Sequence, residues 1–326
     1  MVSLSSAAPG ALALALTARN PLDVHDALDA AVELASMGPW SARDLWETLA
    51  TVASRDLGLA RAMEPHFDAA NIFAQAGEQV PPGAWGVFAA EGGDDPLRAT
   101  RTGNDWCLTG TKPWCSLAAI LDGALITAAD AEGSRRLFAV DLLDPGVSVS
   151  QQEWAARGLV EIPSAPVRFD SVVVREVGEA GWYLSRPGFS WGGIAVAACW
   201  YGGAVGIART VLRRASQNPD AHLLAHLGAI DEQIQCARRA LLEASEFVEA
   251  GAPDERLIAK RVRATVARVC EEVLLRAGHA LGPAPLALDE AHAKRVADLQ
   301  LYIRQHHAER DLASLGAALT TVPTPW

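Results

Sequence analysis

The sequence predicts a mainly α-helical protein in which a small antiparallel β domain is set between N-terminal helices and a C-terminal four-helix bundle. Three observations predict it. Residues 20–76 are rich in Ala and Leu with acids and bases interspersed, and residues 84–178 break into short β-branched and aromatic runs separated by turn signals. Beyond about residue 186 a helical period returns and holds nearly to the end of the chain. The expected units are therefore 1–82, a helical region, 83–185, the β domain, and 186–326, the bundle. At 326 residues, half of them hydrophobic, the chain is long enough to bury a core of this kind.

The apolar run "ALALALTA" at 11–18 has no basic residue before it, as a secretory signal would require, and is expected to be mature sequence. "LDVHDALDAAVELASM" and residues 41–77 read as helices, with Ser41 as N-cap and Asp44 in the reciprocal position. Gly77 and the cluster Pro81-Pro82-Gly83 end that region. The candidate strands are "WGVFAA", "DWCLTGTK", "GALITAA", "RRLFAVDLL", "GVSVSQQ" and "APVRFDSVVV", with "TGND" (102–105) and "DAEGS" (130–134) as hairpin turns. Segments 192–215, 220–250, 255–280 and 289–315 are expected to be four antiparallel helices. In the third, Ile258, Val262, Val266, Val269 and Val273 recur at three- and four-residue steps as one buried stripe. "VPTPW" at the end cannot continue a helix.

Residues 188–208 carry no charge and are long enough to span a bilayer. Their richness in Gly, Ala and Cys suits a closely packed core helix instead, so no membrane is expected as partner. A formal charge of −11 and a pI near 5.2 disfavour nucleic acid and anionic lipid surfaces, and leave room for a local basic pocket. Five scattered cysteines without a C-x-x-C argue for reduced thiols in a cytoplasm, against a disulfide framework or structural zinc.

Three segments in this order carry a family resemblance: Val87-Phe88-Ala89-Ala90-Glu91, Gly110-Thr111-Lys112-Pro113-Trp114-Cys115-Ser116, and Phe169-Asp170-Ser171-Val172-Val173-Val174. With "GAVGIA" from Gly203 to Ala208, they resemble the strand openings, the "G-T-K-x-[WF]" segment and the closing strand of the acyl-CoA dehydrogenase family. The resemblance spans about residues 40–315, makes the chain a divergent, shortened member whose N-terminal helical region 1–82 is the shortened part, and implies FAD held between β domain and bundle. It places Trp114 beside the flavin ring and Ser116 within hydrogen-bonding reach of its reactive nitrogen, with Ala89 and Ala90 along the site. An indole face suits stacking on a flat ring, and a hydroxyl two residues on shares its strand face. The plain alternative is a buried strand Trp beside a turn Ser.

The departures from the family pattern are specific. Ala90 stands where the family has a flavin-contacting Thr, and Gly92-Gly93-Asp94-Asp95 replaces a longer loop that helps to contact acyl-CoA. Two carboxylates there disfavour a polyphosphate tail. Leu275, Gly278 and His279 replace a glutamine and paired glycines that touch the flavin nucleotide of a neighbouring subunit, so Gly278 is the one cofactor residue kept there. The family's catalytic glutamate has two known places. No Asp or Glu lies between Glu179 and Asp220, which empties one; His306 stands at about the other, flanked by Gln305 and His307.

A histidine there has a pKa suited to acid-base work, whereas the bland reading makes His306, His307 and Arg304 a solvated polar face with Glu309 and Asp311 as partners. At the domain junction, "GWYLSRPGFSW" offers Tyr183, Arg186 and Trp191 as substrate-binding candidates, Arg186 for an acidic ligand. His222 and His226 lack both the glutamate and the third ligand of a metal site, and no metal is expected. The expected function is an FAD-dependent oxidoreductase with altered substrate or chemistry, acting on a small molecule or acyl thioester. The alternatives are a flavin monooxygenase of the same fold, served by a reductase or electron-transfer partner, and a non-catalytic assembly partner. By resemblance a homodimer or homotetramer is expected.

Overall fold

The computed structural model describes residues 1–4, 12–13, 15–16, 21–251 and 255–324. Half of the run at 11–18 lies outside the described residues, as do the last two residues of "VPTPW".

After the helical residues 12–13 and 15–16, the described residues run into three helices: α1 (Val24–Ser36), α2 (Ala42–Ala53) and α3 (Leu57–Gln75). The Ser41 hydroxyl accepts from the Asp44 amide at 3.1 Å, the N-cap expected from sequence. The single helical stretch expected over 41–77 is two helices. It breaks at 54–56, where Asp56 takes an extended backbone and its carboxylate accepts from the Gly58 and Leu59 amides to start α3.

The β domain has seven strands: β1 (Trp85–Phe88), β2 (Arg98–Thr102), β3 (Asp105–Ser116), β4 (Gly123–Ala129), β5 (Arg135–Asp141), β6 (Val147–Val149) and β7 (Ser164–Glu176). The order β1-β4-β2-β3-β7-β5 closes on itself through β4 and β5, and β6 edges β7. Closure leaves only the short strands β1 and β6 as edges. The domain is mixed rather than wholly antiparallel, because β1 runs parallel to β4. β2, absent from the sequence expectation, is the mostly exposed segment Arg98–Thr102, which buries only Ala99 and so shows little hydrophobic signal.

After the short helix α4 (Trp182–Ser185) come α5 (Phe189–Gln217), α6 (Ala221–Glu249) and α7 (Glu255–Leu281). Among the described residues α5 is the one helix long and apolar enough to cross a membrane, and 78% of that window is buried inside the fold. Its small residues let neighbours approach. A Cβ on Gly202 would lie 2.3 Å from the Ala50 carbonyl oxygen of α2, and one on Gly206 would lie 2.7 Å from that of Ser54. On α7, Val262, Val266, Val269 and Val273 are buried as the stripe requires, and Ile258 at its start is half-buried.

The fourth helix expected over 289–315 is two helices, with a 3-10 turn between them. A short helix, α8 (Ala284–Leu288), precedes α9 (Glu290–Tyr302); a 3-10 turn at Ile303–Gln305 ends α9; and α10 (Glu309–Leu319) starts after Ala308, whose φ is 44°. The five cysteines are all unpaired.

Candidate functional site

A cavity of about 1110 Å³ opens where α3, the β domain, α5, α7 and the end of α9 meet. Its β wall holds Val87, Ala89, Ala90, Trp114, Ser116 and Ser164. Strand alternation would put Trp114 and Ser116 on one face, but the structure brings them to the cavity differently. The register of β3 against β7 slips between Lys112 and Cys115, and Trp114 takes a left-handed φ of 59° in that bulge. Its indole is 65% exposed, whereas Ser116 is buried. The Ser116 hydroxyl accepts from Arg61 Nη2 at 2.9 Å and shares a 2.7 Å bond with Ser164.

Lys112 of the same segment is buried and ties the wall together. Its ammonium donates to Glu91 Oε1 at 3.0 Å and to the carbonyl and hydroxyl oxygens of Thr127 at 2.5 and 3.0 Å. Burial lowers its pKa, with Glu91 opposing. Lys112 thus anchors Glu91, the residue after Ala89-Ala90, to the strand behind it.

The opposite walls are charged. On α3, Arg61, Glu64 and Asp68 face the cavity at steps of three and four residues. On α7, Arg256, Lys260 and Arg263 do the same. Arg186 has 1% of its side chain exposed and donates to Gln75 Oε1 at 2.8 Å and Asp68 Oδ1 at 3.3 Å, with its guanidinium 5.3 Å from the Tyr183 ring centre. Its Nε has no hydrogen-bond partner. Arg263 donates to the carbonyls of Gly193 and Gln305 at 2.7 and 3.1 Å and lies over the Trp200 ring at 4.7 Å.

Burial, reinforced by the Asp68 charge and opposed by Arg61 and Arg263, pushes Glu64 up to about 8. Asp68 is raised by burial too, with Arg186 opposing. The two carboxyls on one helix face are thus held differently: Asp68 is paired with Arg186, whereas burial of Glu64 without an ion pair favours its protonated form.

The loop between β6 and β7 closes the remaining side with Trp154, Leu159 and Ile162. It is clasped to the bundle by Lys294, which meets Asp56, Glu161 and Asp298 at 3.1, 2.6 and 2.7 Å, and by the Leu159 amide on Asp298 at 2.6 Å. A Cβ on Gly158 would lie 2.1 Å from the Ala297 carbonyl oxygen, so the loop sits directly on α9.

Of the residues singled out in the sequence, Ala89, Ala90, Trp114, Ser116, Tyr183 and Arg186 share this cavity. Three stand elsewhere. His306 is buried in the turn between α9 and α10, its amide on the Ile303 carbonyl, while its neighbours Arg304, Gln305 and His307 line the cavity. Burial lowers the His306 pKa, with Asp311 opposing. Trp191 lines a second cavity of about 200 Å³ behind α3, its indole nitrogen unpartnered. Gly278 is exposed on α7, with nothing within 4 Å of where its Cβ would be.

Sequence reasoning passed over Arg61, Glu64 and Asp68 and the cationic stripe of α7. The available signal was three charges on one face of the otherwise apolar helix "LGLARAMEPHFDAANIF".

Residues 94–172 match the family model described as acyl-CoA dehydrogenase, middle domain. The whole chain superposes on solved structures of that architecture. One is butyryl-CoA dehydrogenase from Megasphaera elsdenii, at TM-score 0.78 and 18% identity over 95% of this chain and 94% of that one. The fold is that of the acyl-CoA dehydrogenases. Dibenzothiophene monooxygenase (TdsC) from Paenibacillus sp. A11-2 has it too, at TM-score 0.77, 18% identity and coverage of 97% and 96%. So does KijD3 in complex with FMN and dTDP-3-amino-2,3,6-trideoxy-4-keto-3-methyl-D-glucose, at TM-score 0.80, 16% identity and coverage of 98% and 96%. No curated protein sequence matches the chain at a significant level.

Proposed function

We propose that this protein is a flavin-dependent oxidoreductase whose substrate is not a simple fatty acyl-CoA. The observation that carries the reading is the shared cavity. An exposed indole in a strand bulge, the hydroxyls of Ser116 and Ser164 and the backbone of Ala89-Ala90 face one volume of about 1110 Å³. That set fits a flat, polar-edged ring system: Trp114 offers a face for stacking, and the Ser116 and Ser164 hydroxyls offer hydrogen-bonding groups for a polar edge. Gly192 and Gly193 of α5 also line the cavity without side chains of their own. A bound flavin would supply two-electron redox chemistry. The chain's own residues bind and orient, and the clasped 154–162 loop limits access of water.

Among the described residues, no carboxylate from the bundle or the closing helices lines the cavity; both carboxyls there come from α3. This disfavours α,β-dehydrogenation by a late glutamate and favours the monooxygenase reading, which needs an external reductase and oxygen. TdsC is named a monooxygenase, and KijD3 and TdsC are found with FMN, so the flavin here is FAD by resemblance to the dehydrogenases or FMN by resemblance to those two. The absorbance spectrum of the pure protein, with chromatography of the released flavin, tests the reading. A colourless protein that takes up neither flavin would establish the non-catalytic alternative.

As part of the same reading a second copy covers the outer face of α7, where Leu275 is 51% exposed beside Gly278. Sedimentation at micromolar concentration should show a dimer or tetramer, and a monomer would refute it.

A further inference from the structure

The cavity is far more cationic than the chain. Arg61, Arg186, Arg256, Lys260, Arg263 and Arg304 face it, against two carboxyls. Arg256 and Arg304 are exposed, Lys260 donates to the Ser314 hydroxyl on α10, and Arg186 is matched by Asp68. Arg61 and Arg263 differ: among the described residues neither has a carboxylate at salt-bridge distance. Arg61 meets a hydroxyl, and Arg263 meets two carbonyls. Both lie against one aromatic pair. Arg61 is 5.6 Å from the Tyr302 ring centre and Arg263 is 4.7 Å from that of Trp200, and the two rings are 6.2 Å apart. Glu64 lies near enough for both arginines to act on its charge, yet it accepts no hydrogen bond from any described residue. Two half-buried guanidinium groups with no carboxylate at salt-bridge distance, Arg263 feeling only the more distant charges of Asp311 on α10 and of Glu64, share a pocket with the orphaned Arg186 Nε, and an anion that reached both would offset the cost of their burial.

We propose that Arg61 and Arg263 form the binding place for an oxyanion group of the substrate, a carboxylate or a phosphate, and that the Glu64 carboxylate competes with it for these cations. The proposal names the substrate class and rests on the reading of the cavity as a substrate site. The coupling follows from charge. With Glu64 neutral the arginines are free to take an anion; once it ionises, it neutralises them and repels the ligand. The groups that act on Glu64 or feel its charge are Asp68 and Arg61 on its own helix, Tyr183 on α4, Cys199 on α5, Arg263 on α7 and Tyr302 on α9. Burial raises Tyr183, Cys199 and Tyr302 away from this range, and Arg186 opposes the rise that burial imposes on Asp68, which leaves Glu64 as the cavity carboxyl without an ion pair.

The test titrates the purified protein with sodium sulfate and with sodium benzoate, whose charges are constant over this range, by calorimetry and tryptophan fluorescence at fixed ionic strength. Saturable binding about tenfold weaker at pH 9 than at pH 7 is expected, since Glu64 at about 8 is then roughly nine-tenths ionised. Glu64→Gln should bind at pH 9 as tightly as the wild type does at pH 7. Arg61→Gln should weaken binding at least tenfold at pH 7. The tighter of the two probes indicates the head group.

Absence of saturable binding would overturn the proposal, as would affinity that is independent of pH in the wild type. A site cleared by FMN but not by riboflavin would belong to a flavin phosphate and would overturn it too. None of these results depends on the flavin spectrum, so the two readings fail separately.

Discussion

Replacing Lys112 with Met keeps most of the apolar stem and deletes the ammonium that joins β3 to Glu91 and β4. Three hydrogen bonds disappear, to Glu91 Oε1 and to both oxygens of Thr127. Bonds involving a charged group contribute about 1.5–3 kcal/mol each, and removing a desolvated ammonium returns several kcal/mol. The Thr127 hydroxyl retains its own 2.9 Å bond to Glu91, so the main orphan is the buried Thr127 carbonyl. The balance is a loss of about 2–4 kcal/mol, or roughly 4–8 °C in Tm for a chain of this size. Urea unfolding and a thermal scan at pH 7 measure it, with flavin titration as the second readout, since the Ala89-Ala90 wall loosens with its Glu91 anchor. The opposing physics is explicit: an apolar isostere in place of a buried ion pair is sometimes neutral or stabilising. A Lys112→Met protein as stable as the wild type, with unchanged flavin affinity, would refute the anchoring role.

Further outcomes follow from other positions. Glu64 binds its proton more tightly in the folded state than in the unfolded chain, so its contribution to stability is full below 4.5, falls as pH rises to about 8 and is flat above. The span is at most about 5 kcal/mol, and Glu64→Gln should gain on the wild type across pH 5–8 in denaturant melts; parallel pH profiles would contradict the burial argument. Gly202→Ala would drive a Cβ to 2.3 Å from backbone oxygen in α2 and should cost about 2–3 kcal/mol through separation of α2 from α5, with a neutral result ruling out that close contact. Trp114→Ala removes a side chain that is 65% exposed, so stability should change by less than about 0.5 kcal/mol while flavin affinity drops at least tenfold. A large stability loss with flavin affinity intact would return Trp114 to a merely structural role.

The order helix, β domain, bundle was legible because each region repeats one period many times. The α7 stripe of Val262, Val266, Val269 and Val273 is such a signal, and so is the Ser41 cap, whose bond to the Asp44 amide is local in sequence. Interruptions were not legible. The chain turns at 54–56 and again at 303–308 within stretches whose composition stays helical, and the second break takes His306 off the cavity while leaving His307 on it. Nor does any local pattern announce the parallel pairing of β1 with β4, which joins residues nearly forty apart.

For the site, the sequence by itself determined the β wall, because the "G-T-K-P-W-C-S" segment brings Trp114 and Ser116 along one strand. Only the tertiary structure decided the rest. Arg61, Glu64 and Asp68 on one helix and Arg256, Lys260 and Arg263 on another are ordinary solvated charges until packing turns both faces inward on one volume. Burial then changes how they behave: it favours the protonated form of a carboxyl that would be ionised in water, and it strips hydration from guanidinium groups that have no carboxylate at salt-bridge distance. Desolvation and proximity in three dimensions have no one-dimensional signature, and they decide the chemistry this cavity offers.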